Sequence, residues 1–414
     1  MQGALWRRGY AILTAALHPF FPFHLKRRCA QGKEDPKRWR EKLAFPSMKR
    51  SQGQLVWLHA VGLGETLALR GAIIALQERL PDAQFLVTSS TRASAEVFAQ
   101  NAPPGIVHQY LPLDTPKNVR AFMDHWQPNL SIWTEQELWP GFIFEAARRS
   151  VPLALINARV TEKSFIRRKR TTSLYQTLFA EFALISAQDG STVKHLQALG
   201  ALNATLSGSM KSIAPPLRCD HNHLSALQSA LKGRFVWIAA STHKQDEEIV
   251  FAAHAQLLEY DPDAFLVVIP RSPERAQDAL TIGLNAGVNI SKVQTEMNQA
   301  WVVDRFGELG LWYRLSEVAF VGGTNSAVEG HNPWEAAALS CPILHGPCYQ
   351  NFKADFPTLQ QAGGAQIVCG AEQLSLALQQ DVNWPQRGTA ALNCVERQKS
   401  TNTHLFDELA ELCS

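Results

Sequence analysis

The sequence has few cysteines, and their spacing does not suit a metal site. Its seven cysteines are odd in number and none lies in a Cys-x-x-Cys pair, which argues against a disulfide framework and against structural zinc. It also lacks an excess of charge of either sign, since 40 Lys and Arg face 37 Asp and Glu. A net charge of +3 is too small to indicate nucleic-acid binding. We therefore expect reduced cysteines, a cytoplasmic setting and no nucleic-acid partner.

A long apolar run is also missing, because about 20 apolar residues are needed to cross a bilayer. The best candidate, residues 10–25, is interrupted by His18, Pro19 and Pro22. A signal peptide is disfavoured, since no small-residue cleavage site follows and basic residues continue after Lys26. Apolar and aromatic residues between basic flanks favour a helix that lies in the membrane interface, with its cations toward anionic lipid. The alternative is an apolar helix packed on the body of the protein.

Most of the chain alternates short apolar runs with amphipathic segments such as residues 67–80, a pattern typical of βαβ units and a parallel sheet. A polar pause near residues 215–216 divides this pattern into two α/β units. We predict a membrane-anchoring and basic segment over 1–48, an α/β domain over 49–214 and a second over 215–414. The predicted strands are 55–61, 85–89, 109–113, 130–134, 153–157, 182–187, 235–240, 265–269, 301–304, 318–321, 342–344 and 366–369.

The strongest candidate for chemistry is the strand, turn and helix start over residues 57–66. Gly62 and Gly64 allow a sharp turn at the carboxyl edge of a sheet, where Glu65 could act as a general base. A helix cap and an ordinary βα turn are the alternatives. A dinucleotide fingerprint is disfavoured because Leu67 occupies the third glycine position and the Glu65 carboxylate would repel a pyrophosphate.

Three motifs in the second half point to a phosphate or nucleotide site. Arg271 follows a buried strand and could meet a phosphate, and the turn over 304–309 could hold a nucleotide through backbone amides. The glycines at 322–323 are expected to expose an array of amide groups. Residues 332–335 have the pattern of a helix start, with an Asn N-cap, Pro at the first helical position and a Glu that completes a capping box.

Eight short motifs, taken in order, resemble those of the Kdo transferases of lipid A biosynthesis, which move 3-deoxy-D-manno-oct-2-ulosonic acid (Kdo) from CMP-Kdo to a lipid A precursor. The resemblance extends over nearly the whole chain. It implies a GT-B fold, with two Rossmann-like doubly wound domains that face a central cleft. The first would hold the acceptor and the second CMP-Kdo, with a C-terminal helix that returns to the first. The motifs are 59–65, 135–140, 157–159, 208–211, 241–243, 270–271, 307–309 and 332–335.

The resemblance also implies residue roles and partners. Glu65 matches the family's general base, and Glu135 and Lys211 match groups that stabilise the transition state. No cofactor and no metal is expected, since CMP-Kdo is the donor substrate. A lipid A precursor and anionic inner-membrane lipids are the other expected partners, with the protein peripheral or monotopic at the cytoplasmic face of the cell inner membrane. The residues that match CMP contacts are Pro270, Arg271, Phe306, Gly307, Glu308, Asn332, Pro333, Trp334 and Glu335.

Several positions depart from the family pattern and leave other functions open. The protein could use another CMP-activated ulosonic acid or another lipid acceptor, or it could bind these ligands without catalysis. A dinucleotide-dependent oxidoreductase is a more distant alternative. His243 and His331 lack a third ligand at metal spacing, so we expect them to be structural hydrogen-bonding residues. The departures are Gly62 for serine, Ser272 for histidine, Phe306 for methionine, Glu329 for glycine and Trp334 for leucine.

Overall fold

The chain divides into two compact units, and each has its own seven-stranded parallel sheet. The first unit is Met1–Ala214 with Ser400–Ser414, and the second is Pro215–Lys399. The structure is a computed structural model. It describes residues 2–60, 63–135, 137–292, 298–380 and 383–413, without the side chains of 2–4, 63–68, 97, 100 and 101.

The first sheet has the strand order β3-β2-β1-β4-β5-β6-β7, and all its neighbouring strands are parallel. Its central strands are continuous apolar runs because helices cover both faces. Alternate residues of β1 enter different cores: Trp57 contacts an aromatic group on one face, and Val56 and Leu58 pack on the other. The strands are β1 Leu55–His59, β2 Gln84–Ser89, β3 Ile106–Tyr110, β4 Leu130–Thr134, β5 Leu153–Ala158, β6 Leu184–Ala187 and β7 Ala204–Leu206.

Several helices of the first unit begin at a residue whose side chain accepts a hydrogen bond from the first turn. Thr115 is one such N-cap, since its hydroxyl accepts from the backbone N–H of Asn118. The helices are α1 Gln2–Leu17, α2 Phe21–Ala30, α3 Leu63–Arg79, α4 Arg92–Asn101, α5 Pro116–Trp126, α6 Pro140–Arg148, α7 Glu162–Lys169, α8 Thr172–Phe179 and α9 Gly190–Ala198, with 3-10 turns at His18–Phe20, Trp39–Leu43 and Met210–Ile213.

The second sheet has the order β10-β11-β9-β8-β12-β13-β14 and is also parallel throughout. Its strands are β8 Val236–Thr242, β9 Phe265–Pro270, β10 Ile290–Ser291, β11 Ala300–Val302, β12 Val318–Val321, β13 Ile343–His345 and β14 Ala365–Ile367. Its helices are α10 His221–Ala230, α11 Lys244–Tyr260, α12 Ala276–Asn285, α13 Leu309–Leu315, α14 Trp334–Ala337, α15 Asp355–Gln361, α16 Gly370–Gln379 and α17 Trp384–Cys413, with 3-10 turns at Pro273–Arg275 and Gln350–Phe352.

Helix α17 supplies side chains to both units. Its first part lies in the second unit, where Ala391 and Val395 are buried. Its last part belongs to the first unit, where Phe406 and Leu409 join the core beside β1. The buried Asn402 also donates to the carbonyl of Ser207 at 3.2 Å.

Helix α1 packs on the first unit against α5, α6 and α8. The Tyr10 hydroxyl donates to Asp114 at 2.6 Å, and Nδ1 of His18 lies 3.1 Å from the hydroxyl of Thr115. The other side of this N-terminal region is apolar and exposed. We call its side chains the apolar stripe: Leu5, Trp6, Ile12, Leu13, Leu17, Phe20 and Phe23.

Part of the basic segment expected to face lipid instead forms internal ion pairs. Arg38 bonds to Glu41 through two nitrogens, at 2.9 and 3.0 Å, and Lys42 bonds to the buried Glu34 at 2.5 Å. Arg38 also donates to the carbonyl of His108 at 2.7 Å and Lys42 to that of Ser90 at 2.8 Å, so these cations hold the segment onto the first unit. Among the described residues, no helix combines the length and the apolar character needed to cross a bilayer.

The predicted α/β class is confirmed, and the main error in strand position concerns β3. The sequence pattern placed this strand at 109–113, whereas it is Ile106–Tyr110. Pro112 has no N–H for a sheet ladder, and the N–H of Leu113 bonds to the carbonyl of Lys42 instead. Helix α3 also begins earlier than expected, at Leu63, so its first turn includes Gly64 and Glu65.

Candidate functional site

Each sheet has one point where the order of its strands reverses. It lies between β1 and β4 in the first unit and between β8 and β12 in the second. In open α/β sheets, ligands bind outside the carboxyl ends of the strands at such points. Glu65 and Glu135 follow β1 and β4, and His243 and Gly322 follow β8 and β12. Residues of both predicted sites therefore lie at or beside a switch point.

Glu135 marks a sharp change in chain direction at the end of β4. Its φ of 56° is in the left-handed region, which is uncommon for residues other than glycine and costs about 1–2 kcal/mol. Its backbone N–H still bonds to the carbonyl of Ile156 at 3.3 Å, and Thr134 donates to the carbonyl of His59 at 3.0 Å. These bonds fix the strand ends on both sides of Glu135.

Lys211 is held at the same edge of the sheet through Asn157, the fifth residue of β5. Asn157 is buried, with a φ of 53°, and its Oδ1 accepts the N–H of Met210 at 3.0 Å. The hydroxyl of Ser209 then accepts the N–H of Lys211 at 3.3 Å. This anchoring role of Asn157 was not predicted. Its one sequence signal is that Asn adopts the left-handed conformation more readily than most residues.

Helix α3 packs closely on the segment that carries Lys211. A Cβ added to Gly71 would lie 2.6 Å from the carbonyl oxygen of Ile213, so only glycine allows this approach. Glu65 lies in the first turn of α3, but its side chain lies outside the described part of the structure, as do all atoms of Gly62. The backbone thus brings Glu65, Glu135 and Lys211 to one edge of the first sheet, and their catalytic roles stay predictions.

In the second unit, Arg271 lies at the carboxyl edge of β9. Pro270 is the last residue of this strand, and the N–H of Arg271 bonds to the carbonyl of Thr242 at 3.0 Å. The side chain of Arg271 is exposed. Its guanidinium is therefore accessible at the edge where a phosphate was predicted to bind.

The turn before α13 places a carboxylate in an unusual setting. Gly307 has a φ of +88°, and the preceding Phe306 is largely exposed. One oxygen of Glu308 lies 3.5 Å from Arg305. The other, Oε2, is buried and has no hydrogen-bond partner among the described residues. A buried carboxylate oxygen of this kind requires a donor.

The expectation of an exposed amide array at the end of β12 is wrong. The N–H of Gly322 bonds to the carbonyl of Ala240 at 2.8 Å. The N–H groups of Gly323 and Asn325 donate to the carboxylate of Asp246, at 2.7 and 3.2 Å. Asp246 is fully buried on α11 and also accepts the N–H of His243 at 3.0 Å. These amide groups therefore hold the loop against α11.

The glycines after β12 instead allow close packing. A Cβ on Gly322 would lie 2.7 Å from the carbonyl oxygen of Ser241, which itself has a φ of 56°. A Cβ on Gly323 would lie 2.8 Å from the His331 ring. Glu329, where the family usually has glycine, adopts the left-handed region with a φ of 65°. The loop thus brings His331 directly over the end of β12.

The motif at 332–335 caps a helix, but one residue later than expected. Helix α14 begins at Trp334, so Pro333 precedes the helix. The Asn332 side chain accepts the N–H of Trp334 and donates to Glu335, both at 3.2 Å. The Trp334 indole is buried and donates to Asp355 at 2.6 Å. A contact of these residues with CMP stays a prediction.

His243 and His331 were expected to be structural hydrogen-bonding residues, and the structure brings their rings into contact. Their Nε2 atoms are 2.9 Å apart, and their rings stack with centroids 5.2 Å apart. Burial, together with smaller effects of the charges of His243 and Arg271, lowers the pKa of His331 to about 4. Burial also lowers the pKa of His243. Both rings are therefore neutral at pH 7. Among the described residues, no group of three or more His, Cys, Asp or Glu is arranged to hold a metal ion.

Comparison with known proteins gives a consistent result. Residues 37–214 match the family model of 3-deoxy-D-manno-octulosonic-acid transferase (kdotransferase). The chain is 32% identical over 375 residues to the 3-deoxy-D-manno-octulosonic acid transferase of Rickettsia bellii, which covers 89% of each chain. It is 29% identical over 396 residues to that of Haemophilus influenzae, covering 92% of this chain and 91% of the relative.

Among solved structures, a glycosyltransferase from Rickettsia africae has a TM-score of 0.59 to this chain and 10% sequence identity, covering 87% of this chain and 99% of its own. At that identity the similarity concerns the fold alone. The sequence similarity to the transferases of Rickettsia bellii and Haemophilus influenzae is higher, and it extends over most of this chain and of each relative. The chain therefore belongs to the 3-deoxy-D-manno-octulosonic acid transferase family, and it is a glycosyltransferase of the GT-B fold.

Proposed function

We propose that this Kdo transferase moves Kdo from CMP-Kdo to a lipid A precursor with inversion at the anomeric carbon and without a metal ion. The main support is the placement of the residues that match the family motifs. Those assigned to the acceptor lie at the switch point of the first sheet. Those assigned to the donor lie along the carboxyl edge of the second sheet, around its switch point.

In this proposal Glu65 accepts the proton of the acceptor hydroxyl as its oxygen attacks the anomeric carbon of Kdo. The bond between that carbon and the phosphate oxygen breaks, and its electron pair stays on the phosphate of the departing CMP. Attack on the face opposite the leaving group inverts the anomeric configuration. A carboxylate in a partly desolvated site is a stronger base than an exposed one.

Glu135 and Lys211 would stabilise charge in the transition state. Positive charge develops on the sugar ring as the bond to phosphate breaks, and the carboxylate of Glu135 can offset it. The ammonium group of Lys211 can offset the carboxylate of Kdo or the charge that develops on phosphate. The fixed backbone around both residues supports this assignment, because transition-state stabilisation needs groups held in position before the reaction.

On the donor side, Arg271 and Glu308 have complementary properties. The exposed guanidinium of Arg271 can neutralise the phosphate of CMP, the role that a metal ion has in many other transferases. The buried Oε2 of Glu308 can accept a hydrogen bond from a ribose hydroxyl. This reading accounts for a buried oxygen that has no partner among the described residues.

We also propose that the apolar stripe lies in the cytoplasmic face of the cell inner membrane. Tyr10 and His18 hold one side of the N-terminal region on the protein, and the stripe is on the other side. The exposed Lys26 and Arg27 follow it directly. Apolar side chains beside cations are typical of a helix that lies in the interface of an anionic bilayer. This location would bring the enzyme to its lipid acceptor.

The test is an assay with purified protein, CMP-Kdo and a tetra-acylated lipid A precursor in the presence of a chelator, with product mass as the readout. Wild type is expected to add one or more Kdo units. Glu65→Gln should do so at least about a hundredfold more slowly, which is the lower end of the effect of a general base. Glu78→Gln removes the same charge from an exposed position of α3 and should retain the rate. The anomeric configuration of the product, read by NMR, tests inversion.

Other outcomes would contradict parts of the proposal. Product with another CMP-activated ulosonic acid but none with CMP-Kdo would reject the donor. CMP-Kdo binding without any product would indicate a different acceptor or a homologue that binds without catalysis. Loss of product on chelation, restored by a divalent cation, would reject metal independence. An unimpaired Glu65→Gln variant would remove Glu65 as the base.

A further inference from the structure

We propose that His243 and His331 form a hydrogen-bonded relay that directs the Nδ1–H of His331 at the phosphate of the bound nucleotide. This inference rests on the proposed function, because it requires that the second unit bind CMP. It assigns His331 as a phosphate-binding residue and His243 as the residue that positions it. From the sequence alone, both were expected to be structural hydrogen-bonding residues.

The two histidines lie where a ligand of this fold is expected to bind. His243 directly follows β8, and His331 packs over Gly323, two residues after β12. The two rings thus lie at the switch point of the second sheet, where ligands of such folds bind. Arg271 is close enough for its charge to affect the pKa of both rings. An exposed guanidinium beside two imidazoles is suited to an anion.

The hydrogen bonds of His243 fix which of its two ring nitrogens carries the proton. The ring of His243 accepts the backbone N–H of Asp246 in a reciprocal cap at the start of α11. A backbone N–H can only donate, so the nitrogen of His243 that accepts it carries no proton. Because Nε2 faces His331, this nitrogen is Nδ1. A neutral His243 must then carry its proton on Nε2, which faces Nε2 of His331 at 2.9 Å.

Because Nε2 of His331 accepts the hydrogen bond from His243, a neutral His331 carries its proton on Nδ1. The hydrogen bonds of the described residues engage only Nε2 of the His331 ring. Nδ1–H is therefore a donor of fixed direction that remains available to a ligand. A phosphate oxygen is an acceptor of matching chemistry, and its hydrogen bonds to such donors are charge-assisted.

Burial favours the neutral state of both rings. It has the largest effect on the pKa of His243 and lowers it, whereas Asp246 raises this pKa and Arg275 and Arg271 lower it. For His331, burial, His243 and Arg271 all act in the same direction. Two protonated rings would both carry a proton on Nε2 and could not share this hydrogen bond, whereas two neutral rings can.

The test uses the fact that Asn and Gln each reproduce one side of an imidazole. The amide of Asn matches Nδ1, and the amide of Gln matches Nε2. His331→Gln should therefore keep the bond to His243 but lose the phosphate donor, and weaken CMP binding about tenfold or more. His331→Asn keeps a donor near Nδ1 and should weaken it less. At His243 the order reverses, since Gln retains the Nε2 donor, and His243→Asn should be the weaker binder.

Cytidine, which has no phosphate, is the second ligand in each titration. His331→Gln should weaken CMP binding and leave cytidine binding unchanged, so the ratio of the two affinities falls toward one. A structural defect would weaken both ligands. His221→Gln, at an exposed position of α10, is the control that should change neither. Equal losses for Asn and Gln at His331, or an unchanged ratio of CMP to cytidine affinity, would overturn the relay.

The tautomers can be observed without ligand by nitrogen NMR of ¹⁵N-labelled protein, with the two rings assigned through the variants. We expect Nε2–H at His243 and Nδ1–H at His331, and the opposite order would overturn the proposal. The failure of the relay is distinguishable from failure of the proposed function. If wild type binds CMP no better than cytidine, the donor assignment itself fails. If wild type prefers CMP and His331→Gln does so equally, only the relay fails.

Discussion

The hydroxyl of Tyr10 donates a 2.6 Å hydrogen bond to Oδ2 of Asp114. The same carboxylate oxygen accepts the N–H of Gly141 at 2.9 Å, in the first turn of α6. A Cβ on Gly141 would lie only 2.2 Å from Oδ1 of Asp114, so the approach requires glycine. One carboxylate thus joins α1 to the start of α6. The chain leads from Glu135 into α6. The same part of the chain therefore carries an acceptor-side residue and the point at which α1 is attached.

We expect Tyr10→Phe to loosen α1. The substitution leaves Oδ2 of the buried Asp114 without its strongest donor, which costs about 1–3 kcal/mol. Hydrogen exchange of the α1 amides should become faster, while exchange in the second unit stays the same. Tyr260→Phe, which removes an exposed hydroxyl, is the matched control. Unchanged exchange in α1 would show that the other contacts of the helix suffice to hold it.

The apolar stripe predicts a specific defect in membrane binding. Replacing Ile12 and Leu13 together by Gln removes two exposed apolar side chains, each worth about 1.5–3 kcal/mol when fully buried. Sedimentation with vesicles that contain anionic lipid should show at least about a tenfold weaker partition. Ile166→Gln, an exposed position of α7, is the control and should bind as wild type does. Added salt should weaken binding of all three proteins, because the basic flanks contribute.

The backbone at Glu329 predicts a stability difference between two small substitutions. The left-handed conformation costs an L-residue about 1–2 kcal/mol relative to glycine. Both Glu329→Gly and Glu329→Ala lose the bond from the N–H of Gln350 to the Glu329 carboxylate. Only glycine removes the backbone strain, so Glu329→Gly should unfold at a higher urea concentration than Glu329→Ala. The reverse order would contradict the assigned conformation.

His254 predicts how stability depends on pH. Its Nδ1 accepts the indole N–H of Trp237 at 3.2 Å, and its Nε2 lies 3.0 Å from the carbonyl of Gln299. The ring is therefore neutral, and burial lowers its pKa to about 4. Below about pH 6.5 the unfolded chain binds a proton that the folded protein does not. The free energy of unfolding must then fall as the pH falls from 6.5 toward 4.

The size of this effect can be measured with His254→Gln. Between pH 7 and pH 5 the neutral His254 accounts for a loss of about 2 kcal/mol. At pH 7 the variant is expected to be less stable than wild type. Between pH 7 and pH 5 its free energy of unfolding should fall by about 2 kcal/mol less than that of wild type. His221→Gln removes an exposed histidine and should follow the wild-type pH dependence. Parallel curves for wild type and His254→Gln would contradict the assignment.

The sequence was sufficient for most of the fold, because buried parallel strands are continuous apolar runs that are easy to recognise. The two strands it missed, β7 and β10, have three and two residues and lie at sheet edges. Such short edge strands carry too few apolar residues to be distinguished from a loop. The error at β3 had a different cause, since the bond between Leu113 and Lys42 joins distant parts of the chain.

The candidate site was predicted in outline but not in its internal contacts. Motifs placed Arg271 and Glu308 at strand ends, because a strand followed by a turn is a local pattern. The contact of His243 with His331 depends instead on two loops that meet only when β8 and β12 pair. Asp246 is similar, because its bonds to Gly323 and Asn325 join α11 to the distant loop after β12.

Helix α17 has a consequence for the order in which the protein can fold during synthesis. Phe406 and Leu409 complete the core of the first unit beside β1, yet the ribosome makes them only after the whole of residues 215–399. A nascent first unit would therefore expose this part of its core while the second unit is being made and folded. The second unit is made as one uninterrupted stretch, and its core needs no residue that is made after it.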